Sequence, residues 1–323
     1  MALSKIQGIQ GQVTPNLGRR NMLINGDFQV WQRGTSGTVN TYTCDRWYGW
    51  GNQHALTQQQ AENGTHNSGR FALRVAHNDA TSNTFSSIAQ TLETSDAAKA
   101  RGKKLTFSID VKKGSAFTGN LTLQIVTRTD AEGTINTGTR QVLVTEDITS
   151  SLTTSMQRFT CTTSTVCAQN IRVIGVNVNH TGTSGTDANN YFQVERAQLE
   201  IGEEDTEFNH PVYGQELTLC QRYYYKTTGV TGYLLGRGNG TTNLAGVNIP
   251  IPVTMRTTPT VSVVSGTWYV IDSDSYTNGT SISAASIVHG GGHLKVQFSS
   301  LSGLTDNRMG MVQLPGYIVD AEI

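Results

Sequence analysis

Residues 21–50 read NMLINGDFQVWQRGTSGTVNTYTCDRWYGW, and three of the chain's four tryptophans, Trp31, Trp47 and Trp50, fall within them. Met22-Leu23-Ile24 is a short apolar run that meets an Asn25-Gly26-Asp27 corner, after which alternation resumes at Phe28 and Val30. The pattern predicts a core strand with a sharp bend. Large aromatic surface alternating with Thr, Asn and Gln suits one strand of a sandwich and does not suit a catalytic loop.

The rest of the composition agrees. The chain has 323 residues, of which 36% are hydrophobic and only 15% charged, while Thr, Ser, Asn and Gly abound. Such a mix favours short strands joined by many turns, so the expected fold class is all-β. Lys plus Arg number 24, as do Asp plus Glu, and no basic run stands out. That argues against a nucleic-acid groove or an anionic membrane surface as partner. No apolar run approaches the roughly 20 residues of a membrane helix, and the first eight residues, MALSKIQG, lack an apolar signal core, so synthesis and folding in a cytoplasm are expected. Cys44, Cys161, Cys167 and Cys220 have no C-x-x-C spacing. They read as buried thiols and not as a zinc site, with a Cys161–Cys167 bridge across a hairpin as the alternative.

In chain order, residues 1–20 have scattered apolar positions at no fixed period. They are expected to form an attachment arm lying on a partner, against the reading that they fold back on their own domain. Residues 21–208 carry repeated short alternating segments, among them those at 71–75, 88–92, 105–111, 121–125, 171–178 and 192–194. Two packed antiparallel sheets are expected from them. Residues 94–102 interrupt as a helix with Thr94 as hydroxyl cap and Gly102 closing it. Residues 197–201 run out of phase with Phe192 and Val194, which predicts a bulge. Glu195 and Glu200 nearby read as exposed edge charges. Residues 209–226 form a helical linker, whose Leu217, Cys220 and Tyr224 recur at helical spacing behind a Pro211–Gly214 break. Residues 227–323 return to strand and turn and make a second, smaller β-sandwich.

Four ordered blocks carry a likeness. They are Asn21-x-Leu-x-Asn-Gly-Asp-Phe-x-x-Trp-Gln-Arg-Gly34, Tyr42-Thr-x-Asp45-Arg46-Trp47, Gly102-Lys-x-Leu-Thr-Phe-Ser108, and Gln198-Leu-Glu-Ile-Gly202 leading to Leu219-Cys-Gln-Arg-Tyr-Tyr224. Over residues 21–226 the chain resembles tailed-bacteriophage virion proteins of the tail-fibre kind, whose sandwich is a jelly roll similar to carbohydrate-binding modules. The resemblance implies a structural virion component, a variable distal domain, attachment of residues 1–20 to other virion proteins, and a homotrimer. Related carbohydrate-binding modules often carry Glu after the Asn-Gly-x-Phe turn, at a structural calcium; here the residue is Gln29, so no metal is expected.

Catalytic chemistry has little support. His289-Gly-Gly-Gly-His293 lacks both a Gly-x-Ser-x-Gly elbow and the helix that would align two His on a metal, and reads as a hairpin tip, with a metal held by symmetric His on a trimer axis as the alternative. Asp272-Ser-Asp274-Ser lacks the remaining positions of a calcium loop and reads as an Asx-rich turn. No carboxylate pair for glycoside cleavage can be picked from spacing. The chain is therefore expected to be non-enzymatic and without cofactors. The candidate site is Trp268, Tyr269, Tyr276 and Asn278, since aromatic faces beside amides recognise sugars; the competing reading makes Trp268 and Tyr269 plain inner and outer strand residues. The helix stripe Leu217, Cys220 and Tyr224 is the candidate oligomer contact, with its own sandwich as the competing partner. Functionally, a tail fibre or other appendage protein touching a host glycan is expected, located in the virion. The alternatives are a head decoration or connecting protein without a receptor role, and a secreted polysaccharide-binding or polysaccharide-degrading protein.

Overall fold

The computed structural model describes residues 20–52, 55–60, 71–77, 85–182, 185–227, 229, 231–272, 275–279, 282–290 and 292–323. The attachment arm therefore lies outside the described residues except for Arg20. The first half contains β1 (Ser36–Thr38), β2 (Thr41–Tyr42), β3 (Tyr48–Gly51), β4 (Ala55–Gln60), β5 (Phe71–Ala76) and β6 (Phe85–Leu92). After helix α1 (Thr94–Ala100) come β7 (Leu105–Lys113), β8 (Asn120–Arg128), β9 (Arg140–Asp147), β10 (Gln157–Thr162), β11 (Val173–Thr181) and β12 (Tyr191–Ile201).

These strands form two six-stranded sheets, ordered β1-β4-β5-β12-β7-β10 and β2-β3-β6-β11-β8-β9. Within them β8 pairs with β9, β7 with β10, β6 with β11 and β5 with β12, all antiparallel. Such nested pairs are one long hairpin wrapped across two sheets, which is a jelly roll. Alternation drives the closure: Leu105, Phe107, Ile109 and Val111 of β7 face Leu121, Leu123 and Ile125 of β8 and Ile174, Val176 and Val178 of β11 in one core. The predicted bulge is present as a register shift between Glu195 and Gln198 against β7.

Residues 20–35 correct the expected bent strand, because no ladder forms there. Leu23, Phe28 and Val30 are buried, but Asn25 and Phe28 sit at φ 55° and 54°, in the left-handed region that breaks a strand. Side chains satisfy the backbone instead. Asn25 Oδ1 accepts the amides of Gln29 (2.8 Å) and Val30 (2.9 Å), and its Nδ2 donates to the carbonyls of Val30 and Asp45, both at 3.0 Å. Trp47 Nε1 donates to the Asn25 carbonyl at 2.9 Å, and the Trp47 ring packs 4.9 Å from Phe28. The Asn-Gly-Asp block is thus an elbow that seats two aromatics in the core.

Other expectations change too. Helix α1 is capped by Glu93 without a side-chain bond, and Thr94 is its first helical residue. Glu195 and Glu200 are not edge charges, being 2% and 3% exposed; Glu200 accepts the Thr206 hydroxyl at 2.5 Å and lies 3.5 Å from Arg20. All four cysteines are free and buried, so the Cys161–Cys167 bridge does not form.

Helix α2 (Tyr213–Gln221) is shorter than the 209–226 reading, and Tyr224 belongs to β13 (Tyr224–Lys226). The helical stripe is covered within the chain, where Cys220 and Tyr223 pack with Ile24 and Val30, flanked by Leu217 and Ile323. Burial of this stripe makes no demand for a second copy.

The distal part comprises β14 (Leu234–Gly238), β15 (Leu244–Pro250), β16 (Thr260–Val263), β17 (Trp268–Asp272), β18 (Ser275–Gly279), β19 (Ser283–Gly290), β20 (His293–Ser299), β21 (Met309–Gln313) and β22 (Tyr317–Asp320). A seven-stranded sheet, β18-β17-β21-β14-β15-β20-β19, packs against a three-stranded one, β13-β22-β16. Val247, Ile249, Val270, Leu294, Val296, Phe298 and Val312 of the large sheet share a core with Val261, Tyr317 and Val319 of the small one. His289 and His293 flank the β19–β20 hairpin, with Gly290 paired to His293.

At the junction the two halves meet through charge. Glu322 accepts from Arg33 at 3.2 Å and from Arg46, which is 1% exposed. Arg33 also reaches Asp45 at 3.3 Å and lies 3.6 Å from the Tyr224 ring centre, while Arg46 lies 3.5 Å from that of Tyr223. Guanidinium groups packed flat on rings and held by carboxylates are well-determined contacts.

Candidate functional site

Strand alternation on β17 sends Trp268 and Val270 into the distal core and Tyr269 and Ile271 outward. Trp268 is 3% exposed, and a Cβ on its partner Gly279 would lie 2.5 Å from Trp268 Cζ2. The indole therefore runs beneath Gly279 as core and offers no face to a ligand. The other three candidates come together. Tyr269 pairs with Asn278 and Ile271 with Tyr276 across the β17–β18 ladder, which places Tyr269, Tyr276 and Asn278 on one face. The Tyr269 and Tyr276 rings stack at 5.6 Å and 27°, with Tyr276 58% exposed. Residues 275–279 are thus a strand, where their Ser, Thr, Asn and Gly content reads as loop. Asp272 is buried and accepts the Thr305 amide at 2.6 Å; Asp274 lies outside the described residues.

The same face continues across β21 and β14. Tyr269 pairs with Gln313 and Ile271 with Met311; Met311 then pairs with Leu235, and Met309 with Arg237. Tyr233, Leu235, Met309 and Tyr276 are all well exposed. Local desolvation and the neighbouring Tyr269 and Tyr233 hold the Tyr276 phenol above its ordinary range. Tyr233, Leu235 and Met309 escape sequence reading because only the strand order brings them beside Tyr276.

A second face lies on the sandwich, on the outward side of the sheet containing β6. Trp50 pairs with Ser87 and Tyr48 with Ala89; Asn177 pairs with Ala89 from the other side and with Gln124 beyond it. Tyr48 stands 5.0 Å from Tyr42 and 5.8 Å from Trp50, a row of three rings at the sheet edge. Ser87 and Asn177 are fully buried, yet Ser87 Oγ and Asn177 Oδ1 have no hydrogen-bond partner among the described residues. Asn177 Nδ2 donates to Asn136 Oδ1 at 3.1 Å. Unsatisfied buried polar atoms beside a row of aromatic rings are the groups a polar ligand would complete.

Among the described residues no group of three or more His, Cys, Asp or Glu could hold a metal ion. Gln29 Nε2 donates to the Asp27 carbonyl at 2.7 Å. No helix of the described residues is long and apolar enough to cross a membrane.

No protein-family model and no curated protein matches the chain. Solved structures show remote likenesses. One is the enzymatically active domain of tailspike protein 4 of bacteriophage CBA120, at 9% identity and TM-score 0.37, covering 56% of this chain and 21% of that one. The chain thus spans about a fifth of that tailspike chain. A putative sugar binding protein from Bacteroides thetaiotaomicron matches at 10% identity and TM-score 0.35, over 56% of this chain and all of the other. The tandem CBM22-1–CBM22-2 domain of Paenibacillus barcinonensis Xyn10C covers 89% of this chain and 97% of its own, at 11% identity and TM-score 0.32. Likenesses this remote carry no functional argument. The jelly roll is assigned from the strand order.

Proposed function

We propose that the chain is a non-enzymatic component of a phage virion appendage whose distal domain contacts a host-surface glycan. The observation that carries the reading is the outward stacked pair Tyr269–Tyr276 beside Asn278, an aromatic platform with an amide at its edge on the β17–β18 ladder. Support for the virion setting comes from the four sequence blocks, three of which build the elbow, the sandwich and the junction with the distal domain. In this reading residues 1–20 attach the protein to the particle. A homotrimer would multiply a weak single-site affinity through avidity. The sandwich face at Tyr48, Trp50, Ser87 and Asn177 is a second contact, favoured by its two buried atoms that lack a partner among the described residues.

Adsorption of virions carrying Tyr276→Ala and Tyr269→Ala tests the reading, together with mass spectrometry of purified particles. Reduced adsorption with the protein present and folded is the expected result. Wild-type adsorption would remove the glycan contact, absence of the chain from particles would remove the virion role, and release of reducing ends from host polysaccharide would make it an enzyme.

A further inference from the structure

Among the described residues, the charged side chains on the outward face of the seven-stranded distal sheet are cations. Arg237 continues the row of Leu235 on β14, and Lys295 of β20 stands opposite Asn248 of β15; both cations are exposed. Lys295 leans back toward Arg237, since its Cε lies 3.6 Å from where a Cβ on Gly246 would be, and Ala245 beside that glycine is the cross-strand partner of Arg237. Neither cation forms an ion pair among the described residues. Asp272 is the single carboxylate in the sequence of these seven strands, and it is buried, accepting the Thr305 amide. Asp306, in the loop before β21, is engaged by the Gly240 amide at 2.9 Å.

Two like charges stand on this face, neither in an ion pair among the described residues, beside Tyr233, Tyr269, Tyr276, Leu235, Ile271, Met309 and Met311. We infer that this face binds an acidic polysaccharide, one bearing carboxylate or phosphate groups along its chain. A sugar ring lies on Tyr276 or Tyr269, and the acid groups of following residues reach Arg237 and Lys295. Tyr276 and Arg237 stand on strands three spacings apart, roughly 14 Å, so the ligand is an extended oligomer and not a single sugar. Guanidinium and ammonium groups would supply charge-assisted hydrogen bonds, and the tyrosines would supply stacking. The inference rests on the glycan-contact reading above and specifies its ligand class.

The test uses the full chain, sodium polygalacturonate, the same polymer fully methyl-esterified, and single-stranded DNA. The expected result is binding to polygalacturonate that weakens with added salt, and binding to the neutral ester weaker by about tenfold. Arg237→Gln with Lys295→Gln should abolish that difference, each exposed charge contributing roughly threefold. Tyr276→Ala should lower binding to both polymers. Equal binding of acidic and neutral polymers overturns the inference while leaving the glycan-contact reading intact; binding to neither polymer removes both. Binding DNA as strongly as polygalacturonate, or a concentration-dependent self-association abolished by Tyr276→Ala, also overturns it. All three positions are well exposed, and an unchanged melting temperature certifies that the variants fold.

Discussion

Gln90 hydrogen-bonds both backbone groups of Ile24, its Oε1 accepting the amide and its Nε2 donating to the carbonyl, each at 2.7 Å. One buried side chain thereby replaces the strand partner that residues 20–35 lack.

Gln90→Leu keeps the volume and removes both bonds, leaving a buried amide and carbonyl unsatisfied. Each such group costs about 1–3 kcal/mol, so a total loss of about 2–6 kcal/mol is expected. Urea unfolding should show a lower midpoint with an unchanged slope.

Glu322→Gln removes the carboxylate shared by Arg33 and Arg46 and leaves Arg46 buried against Tyr223. Breaking a buried pair from one side costs about 3–5 kcal/mol. Because this pair joins the two halves, calorimetry should resolve a separate, earlier transition for the distal domain in the variant. A single transition at the original temperature would show that the remaining ion pairs across the junction, Arg222–Glu93 and Arg256–Glu132, hold it by themselves.

His77 and His180 lie with ring centres 3.9 Å apart and fully buried, and burial lowers the His180 pKa. The folded state then takes up a proton less readily than the unfolded chain, so stability contributed by neutral His180 is lost as pH falls through the ordinary histidine range near 6.5. Asp45 acts oppositely. Burial raises its pKa to about 6 despite Arg33, so the folded state binds that proton first and gains stability as pH falls from about 6 toward 4. Melting temperatures between pH 7.5 and 5 should therefore drop less in His180→Gln than in the parent protein, and more in Asp45→Asn.

The thiols should be silent until unfolding. Burial pushes Cys161 up to about 12 and Cys167 up to about 11, and holds Cys44 and Cys220 well above the ordinary range. At pH 8 almost no thiolate exists. A disulfide reagent should titrate no cysteine in the native protein and all four in urea; rapid native reaction would contradict the packing around them.

Strands such as β7 were legible because Leu105, Phe107, Ile109 and Val111 alternate without interruption, and the all-β class followed from many such runs. Residues 21–31 misled for a physical reason. Buried apolar side chains at alternate positions look like a strand, but hydrogen bonds from Asn25, Gln90 and Trp47 replace the ladder, and no local signal reveals those partners. Tyr224 fits helical spacing from Leu217 and Cys220, yet its backbone pairs with Asp320, almost one hundred residues later. For the candidate site, Tyr269, Tyr276 and Asn278 were found from residue type, while the inward turn of Trp268 depended on strand phase. Ser87 and Asn177 were invisible, since a polar residue in the outward phase of a strand normally meets water.

The small distal sheet is built from the two ends of its own domain, with Tyr224–Lys226 lying against Tyr317–Asp320. Entry and exit are therefore neighbours, and both sit where Arg33 and Arg46 grip the junction. Everything between them forms a closed excursion from a fixed doorway. Recombination that replaced residues 227–316 with an unrelated fold of matching end spacing would keep the Arg33, Arg46 and Glu322 joint and lose the Arg256–Glu132 bridge, so the two halves can evolve on largely separate schedules.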